Sequence, residues 1–118
     1  LMRSYKVQEK AAKVGFDWDD VQGAIDKVLE EIDELKDVYK SKNMAKIEEE
    51  IGDLLFAVVN VARFLNVQPE LALSQTTEKF INRFEYIEKN AKRFNKKIEE
   101  MTINEMDLLW NEAKTHNF

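Results

Sequence analysis

The sequence predicts an all-α protein, and three observations carry the prediction. Only three glycines and one proline occur in 118 residues, 35% of the residues are charged, and apolar side chains recur at alternating steps of three and four. A chain so poor in turn formers and so rich in charge builds long helices joined by short connections. The length suits one domain, residues 1–118, with a real core but no room for two independent ones.

The first helix is expected over Leu1 to Val14, with Met2, Tyr5, Val7, Ala11 and Val14 as its apolar positions and Gly15 ending it. Phe16 to Asp20 connects to the second helix, whose start is supplied with carboxylates by Asp17 and Asp20. Val21, Ile25, Val28, Ile32, Leu35 and Tyr39 form the seam of a helix packed along another helix, and Ser41-Lys42-Asn43 breaks it. The third helix, Met44 to Leu65, carries Ile47, Ile51, Leu54, Leu55, Val58, Ala62 and Leu65 on one face, with Phe56, Val59, Val61 and Phe64 on others. Such a helix lies at the centre of a bundle or under a second subunit. Asn66 to Pro69 turn the chain, with Pro69 suited to a first helical position. A fourth helix is expected from Glu70 to Phe94, with Leu71, Phe80, Phe84, Ile87, Ala91 and Phe94 inward. Thr102-Ile103-Asn104-Glu105 has the form of a capping box, which starts a last helix over Ile103 to Ala113.

Composition removes several classes of function. Without cysteine there are no disulfides, thiolate metal sites or thiol nucleophiles. No apolar run approaches the roughly 18 residues that span a bilayer, and the N-terminal segment is charged where a signal peptide is apolar. A cytoplasmic protein without a membrane partner is therefore expected. The net charge of −5, spread through the chain, argues against nucleic acid as a partner. An acidic protein that handles a polyphosphate needs metal ions or locally focused cations.

Two acidic runs stand out, Glu30-Glu31-Ile32-Asp33-Glu34 and Glu48-Glu49-Glu50-Ile51-Gly52-Asp53. Either one alone is more often a solvated helix face than a site. Their relation changes that reading. The turn near Lys42 is short enough to force the two helices antiparallel. Glu34 and Glu50 each lie eight residues from Lys42, and Glu31 and Asp53 each lie eleven from it. The four carboxylates thus face one another in two rungs, about 4.5 Å apart along the axis at 1.5 Å per residue. At 100° per residue Glu31 and Glu50 flank the apolar stripes, and Glu34 and Asp53 lie slightly farther round. Acids so placed repel, and one or more takes up a proton unless a divalent cation neutralises them.

Oxygen ligands without nearby His or Cys suit Mg²⁺, or Mn²⁺ in its place. Di-iron bundles use Glu-x-x-His pairs, whereas the single histidine here, His116, is expected in a solvated tail. Cations accompany the acids: Lys27 precedes Glu31 by four residues and Lys46 precedes Glu50 by four. Lys79 with Arg83, and Trp110 with Lys114, form further i, i+4 pairs. Each such pair alone is more often ordinary surface, and Trp110 suits base stacking and core packing equally. A triphosphate nevertheless needs cationic partners, for which arginine is well shaped.

The Glu-Glu-x-x-Glu of Glu30 to Glu34, followed by Glu-x-x-Asp at Glu50 and Asp53, resembles the signature of the MazG nucleotide pyrophosphohydrolases. Val14-Gly15-Phe16-Asp17-Trp18 before it, and Gly52 to Phe56 with Val61-Ala62-Arg63 after it, extend the resemblance over essentially the whole chain. The resemblance implies a four-helix core with an additional C-terminal helix, a homodimer, and Glu31, Glu34, Glu50 and Asp53 as Mg²⁺ ligands and catalytic residues. It implies Mg²⁺-dependent hydrolysis of a nucleoside triphosphate to a monophosphate and pyrophosphate, a metal-activated water attacking the α-phosphorus. Lys27, Glu30, Lys46, Ile47, Glu48 and Glu49 match positions near the nucleotide, as do Lys79, Arg83, Trp110 and Lys114. The loop between the metal-binding helices is slightly shorter than in some relatives. Bacterial MazG often carries two such domains, and this chain resembles the second alone, with Leu1 fitting an excised fragment.

On this reading Lys79 and Arg83 stabilise charge on the departing pyrophosphate, and either Glu30 or Glu34 serves as general base. Two rivals remain from the sequence: a helical dimerisation module that binds no metal, and a regulator that binds nucleotide without turning it over. Spacing encodes neither base nor sugar preference.

Overall fold

The computed structural model describes residues 1–118 and contains five α-helices and no strand. The helices are α1 (Met2–Lys13), α2 (Val21–Val38), α3 (Met44–Phe64), α4 (Pro69–Asn90) and α5 (Ile103–Thr115). Short 3₁₀ turns occupy Tyr39–Ser41, Ala91–Phe94 and Ile98–Glu100. The all-α expectation is borne out. Two compact units divide the chain, Leu1–Ala72 and Leu73–Phe118, with the boundary inside α4.

In Leu1–Ala72, α2 packs along α3 and α1 lies against α3. Local chemistry sets the bounds of each helix. Phe16 N–H reaches the Ala11 carbonyl and Gly15 N–H the Ala12 carbonyl, a Schellman ending that requires the left-handed backbone Gly15 supplies at φ +90°. Asp20 caps α2 by accepting from Gly23 N–H at 3.3 Å. Asp17 does not join that cap, and its partner is described below. Asn43 caps α3 through Lys46 N–H, after a left-handed Lys42 has turned the chain. At the other end of α3, Val67 N–H bonds to the Ala62 carbonyl around a left-handed Asn66. Gln68 then accepts from Leu71 N–H, so that α4 begins with Pro69 in its first position.

α3 buries Ala57 and Val59, whereas Ile51, Leu55, Phe56, Val58 and Leu65 are each more than 40% exposed. The helix expected to be apolar on several sides therefore presents much of that surface to solvent.

In Leu73–Phe118, Ile87, Ala91, Met101 and Leu109 form the core, with Tyr86, Phe94, Ile98, Met106 and Trp110 packed around it. The fourth helix is α-helical only to Asn90, not to Phe94 as the sequence suggests. Asn90 turns its side-chain amide back onto the Tyr86 carbonyl, and a left-handed Asn95 follows the 3₁₀ turn. Phe80, expected inward, is 57% exposed. The Thr102 capping box forms as expected, Thr102 N–H donating to Glu105 Oε1 and Glu105 N–H to Thr102 Oγ1. α5 runs two residues beyond Ala113. His116 is exposed, but its ring packs 5.6 Å from that of Tyr86, so the tail is not loose there.

Candidate metal centre

Glu31 and Glu34 project from α2, and Glu50 and Asp53 from α3. Carboxylate oxygens of Glu31, Glu50 and Asp53 lie within 4.8 Å of one another, and those of Glu30, Glu31 and Glu34 form a second group sharing Glu31. Glu34 and Glu31 both adjoin the Glu50 carboxyl. The antiparallel rungs are thus assembled as the equal distances from Lys42 suggested.

The electrostatics identify the problem these residues pose. Burial pushes the Glu50 carboxyl up to about 7, and the charges of Glu34 and Glu31 reinforce it. Glu31 is only 4% exposed. Burial pushes it up too, but hydrogen bonds with Lys27 and Glu50 outweigh burial and leave it below the usual carboxylate range. Lys27 Nζ lies 3.1 Å from Glu31 and 3.3 Å from Glu30, and both acids raise its own pKa. One lysine cannot neutralise so many acids. Glu31 Oε2 and Glu50 Oε2 remain buried without any hydrogen-bond partner. Orphaned carboxylate oxygens of this kind fit a hard divalent cation, so the cluster can hold a metal ion. His116 belongs to the unit Leu73–Phe118.

A cavity of about 610 Å³ borders the cluster, with Glu31, Asp53 and Lys27 in its wall. Its remaining lining includes Gln8, Phe16, Trp18, Asn60 and Arg63. Sequence reasoning passed over these as site residues. Asp17 was read as part of a helix cap, but its carboxylate meets Arg63 Nη2 at 2.5 Å across 46 positions of sequence. No local signal marks a pair so far apart.

The other expected residues are distributed as follows. Lys46 makes no ion pair with Glu50, and Glu48 and Glu49 are exposed on the first turns of α3, with Ile47 half-buried. Lys79, Arg83, Trp110 and Lys114 all belong to Leu73–Phe118. There the Arg83 guanidinium lies 5.2 Å over the Trp110 ring, and its Nε donates to the Phe118 carbonyl at 2.8 Å. Lys79 and Lys114 are exposed.

Fold and site together define an all-α protein with a carboxylate cluster, able to hold a metal ion, between two antiparallel helices. Residues 19–94 match the MazG nucleotide pyrophosphohydrolase domain. The chain is 44% identical over 114 residues to the nucleoside triphosphate pyrophosphohydrolase/pyrophosphatase MazG of Thermotoga maritima, covering 97% of this chain and 44% of that protein. It is 41% identical over 118 residues to the nucleoside triphosphate pyrophosphohydrolase of Escherichia coli K12, with the same coverage. A shorter stretch of 68 residues is 52% identical to the uncharacterized protein YabN of Bacillus subtilis, covering 58% of this chain and 14% of that protein. The chain belongs to the MazG nucleotide pyrophosphohydrolase family, and it spans less than half the length of the first two relatives.

Proposed function

We propose that this chain hydrolyses nucleoside triphosphates to a nucleoside monophosphate and pyrophosphate, with Mg²⁺ held by Glu31, Glu34, Glu50 and Asp53. The observation that carries the reading is the pair of buried, unpartnered oxygens on Glu31 and Glu50, within two three-carboxylate groups that share Glu31. The names of the Thermotoga and Escherichia relatives support the substrate class. A bound Mg²⁺ would supply Lewis acidity, offsetting phosphate charge and lowering the pKa of a water. Hydrolysis joins the oxygen of a water to the α-phosphorus and breaks the α–β anhydride, the electron pair leaving with pyrophosphate. Glu30 or Glu34 accepts the water's proton. Lys27 holds Glu31 ionised, and so ready to act as a ligand, through its 3.1 Å ion pair.

Lys46, Ile47, Glu48 and Glu49 are proposed nucleotide neighbours on the strength of the resemblance alone, as are Lys79, Arg83, Trp110 and Lys114. For each, substitution by alanine followed by measurement of KM is the test. We further read the protein as a homodimer, supported by the exposed apolar residues of α3. Its place on this reading is the cytoplasm, where its substrates are made. No helix is long and apolar enough to cross a membrane.

The deciding experiment is pyrophosphate release from a nucleoside triphosphate with and without Mg²⁺, using wild type and Glu34→Ala. Monophosphate and pyrophosphate from the wild type, lost in the variant and without Mg²⁺, is the expected result. Wild-type protein that releases no pyrophosphate, or a variant with full activity, overturns the reading.

A further inference from the structure

The end of α5 directs the chain back onto α4. Asn117 N–H donates to the Lys114 carbonyl and Phe118 N–H to the Ala113 carbonyl, around a left-handed Asn117 at φ +62°. This is a Schellman ending, and after glycine asparagine is the residue that adopts such a backbone most readily. The Phe118 ring is thereby set 5.9 Å from that of Tyr86 and 6.1 Å from that of His116. Tyr86 is itself fixed, because its hydroxyl donates to Glu112 Oε2 at 3.1 Å and Arg93 holds the same carboxylate.

A turn so anchored brings the Phe118 carbonyl to Arg83, whose Nε donates to it at 2.8 Å. The Arg83 guanidinium also lies 5.2 Å over the Trp110 ring. A carbonyl on Nε and an aromatic face against its plane hold the group in two directions. They leave free the Nη edge, which can grip an oxyanion with two parallel hydrogen bonds. No ion pair forms at Arg83, nor at Lys79 four residues before it, nor at Lys114 four residues beyond Trp110. The stack of Arg83 on Trp110 thus joins two basic helical pairs, and no acid neutralises either.

We propose that the turn at residues 116–118 is a positioning element for Arg83: the Phe118 carbonyl holds the guanidinium against Trp110, so that its Nη edge is set in advance to take a phosphoryl oxyanion. The inference rests on the function proposed above, in which Arg83 is a nucleotide neighbour. An unrestrained arginine loses much side-chain entropy when it closes on an anion, whereas one already held loses little. Phe118 acts through Arg83 and touches no substrate.

The test uses inorganic pyrophosphate as the binding probe, with a chelator present so that no metal ion carries it, beside turnover of ATP with Mg²⁺. Asn117→Val puts a β-branched residue at φ +62°, a backbone that such residues avoid, and Phe118→Ala removes the ring packed on Tyr86. Each is expected to weaken pyrophosphate binding about three- to tenfold by calorimetry and to lower kcat/KM for ATP by a similar factor. Asn117→Gly retains the left-handed turn and keeps both within about twofold of wild type. The Arg83 Nε–H signal in NMR exchanges slowly with water in the wild type and Asn117→Gly, and rapidly in the other two variants, a change that a merely structural role of the turn would not produce. Both positions are exposed, so substitution there leaves the fold intact. Wild-type pyrophosphate affinity in Asn117→Val and Phe118→Ala overturns the inference, and so does tighter binding, which would make the carbonyl a competitor for Arg83. A wild type that does not bind pyrophosphate overturns it as well. If the wild type binds pyrophosphate but releases none from ATP, the proposed activity fails, and the binding and exchange measurements still decide the role of the turn.

Discussion

Replacing Glu50 by Gln isolates the strain that four acids impose on the metal-free protein. The Glu50 carboxyl, ordinarily at 4.5, is pushed up to about 7 in the folded chain. The native state therefore holds that proton roughly 300-fold more tightly than the unfolded chain does. Because the folded pKa is the higher one, the sign is opposite to that of an ion-paired carboxylate. The destabilising contribution is fully present above pH 7, shrinks as pH falls through 7, and is gone below 4.5. With a chelator present, the wild-type Tm should rise on going from pH 8 to pH 5.5. Glu50→Gln removes the charge and keeps the shape, so its Tm should be higher than wild type at pH 8 and should lack this component of the pH dependence. Adding Mg²⁺ should stabilise the wild type more at pH 8 than at pH 6, because binding must displace the Glu50 proton at the lower pH. Scanning calorimetry on both proteins from pH 5 to 9 reads all three effects. An identical pH dependence in the variant, or a variant less stable than wild type at pH 8 without metal, would refute the electrostatic account of the cluster.

Leu109→Ala removes a fully buried side chain from the core around Ile87 and Met101 and should cost about 2–5 kcal/mol, read by urea unfolding. Thr102→Ala deletes one half of a reciprocal capping box and should cost about 0.5–2 kcal/mol in the same assay. Gly23→Ala places a Cβ 3.2 Å from the Trp18 ring, and the expected result is a shifted tryptophan emission spectrum with near-native stability. Glu31→Gln should abolish stabilisation by Mg²⁺ and lower the Lys27 pKa, the latter followed by NMR titration of the ammonium group.

The helices were legible because apolar period and capping are local properties. Asp20, Asn43 and Thr102 each cap a helix that the pattern of threes and fours had already outlined. The carboxylate site was legible for a different reason: one tight turn converts sequence distance into spatial register, so that Glu31 meets Asp53 and Glu34 meets Glu50. The wall of the adjoining cavity has no such ruler. Asp17 and Arg63 lie 46 residues apart on elements joined by two turns, and an acid three residues before Asp20 looks like part of a cap. Gln8 is polar on a helix of mostly polar residues, and nothing in its neighbours announces burial against Phe56. The apolar pattern runs past the end of α4 to Phe94, and Asn90, a residue that favours helix ends, stops the α-helix where its amide folds back onto the Tyr86 carbonyl.

The distribution of charge in the cluster sets it apart from a structural salt-bridge network. A network built for stability pairs each buried acid with a base, as Arg93 and Glu112 are paired here at 2.6 and 3.1 Å. The acids on α2 and α3 receive Lys27 alone, and it bonds Glu31 and Glu30 on its own helix while leaving Glu50 without a cation. No cation bridges α2 and α3 at these acids, and Glu34 and Glu31 add to burial in pushing the Glu50 carboxyl up. A proton on Glu50 or a bound cation relieves such a defect. The two orphaned oxygens, one on each helix, mark where that relief is needed, and an ion bridging them would also tie α2 to α3. Metal binding and helix pairing are then a single equilibrium, and Mg²⁺ should protect the amides of both helices around Glu31 and Glu50 from hydrogen exchange together. Protection confined to one helix would show that the ion is held by one acidic run alone, and would return the other run to the status of solvated surface.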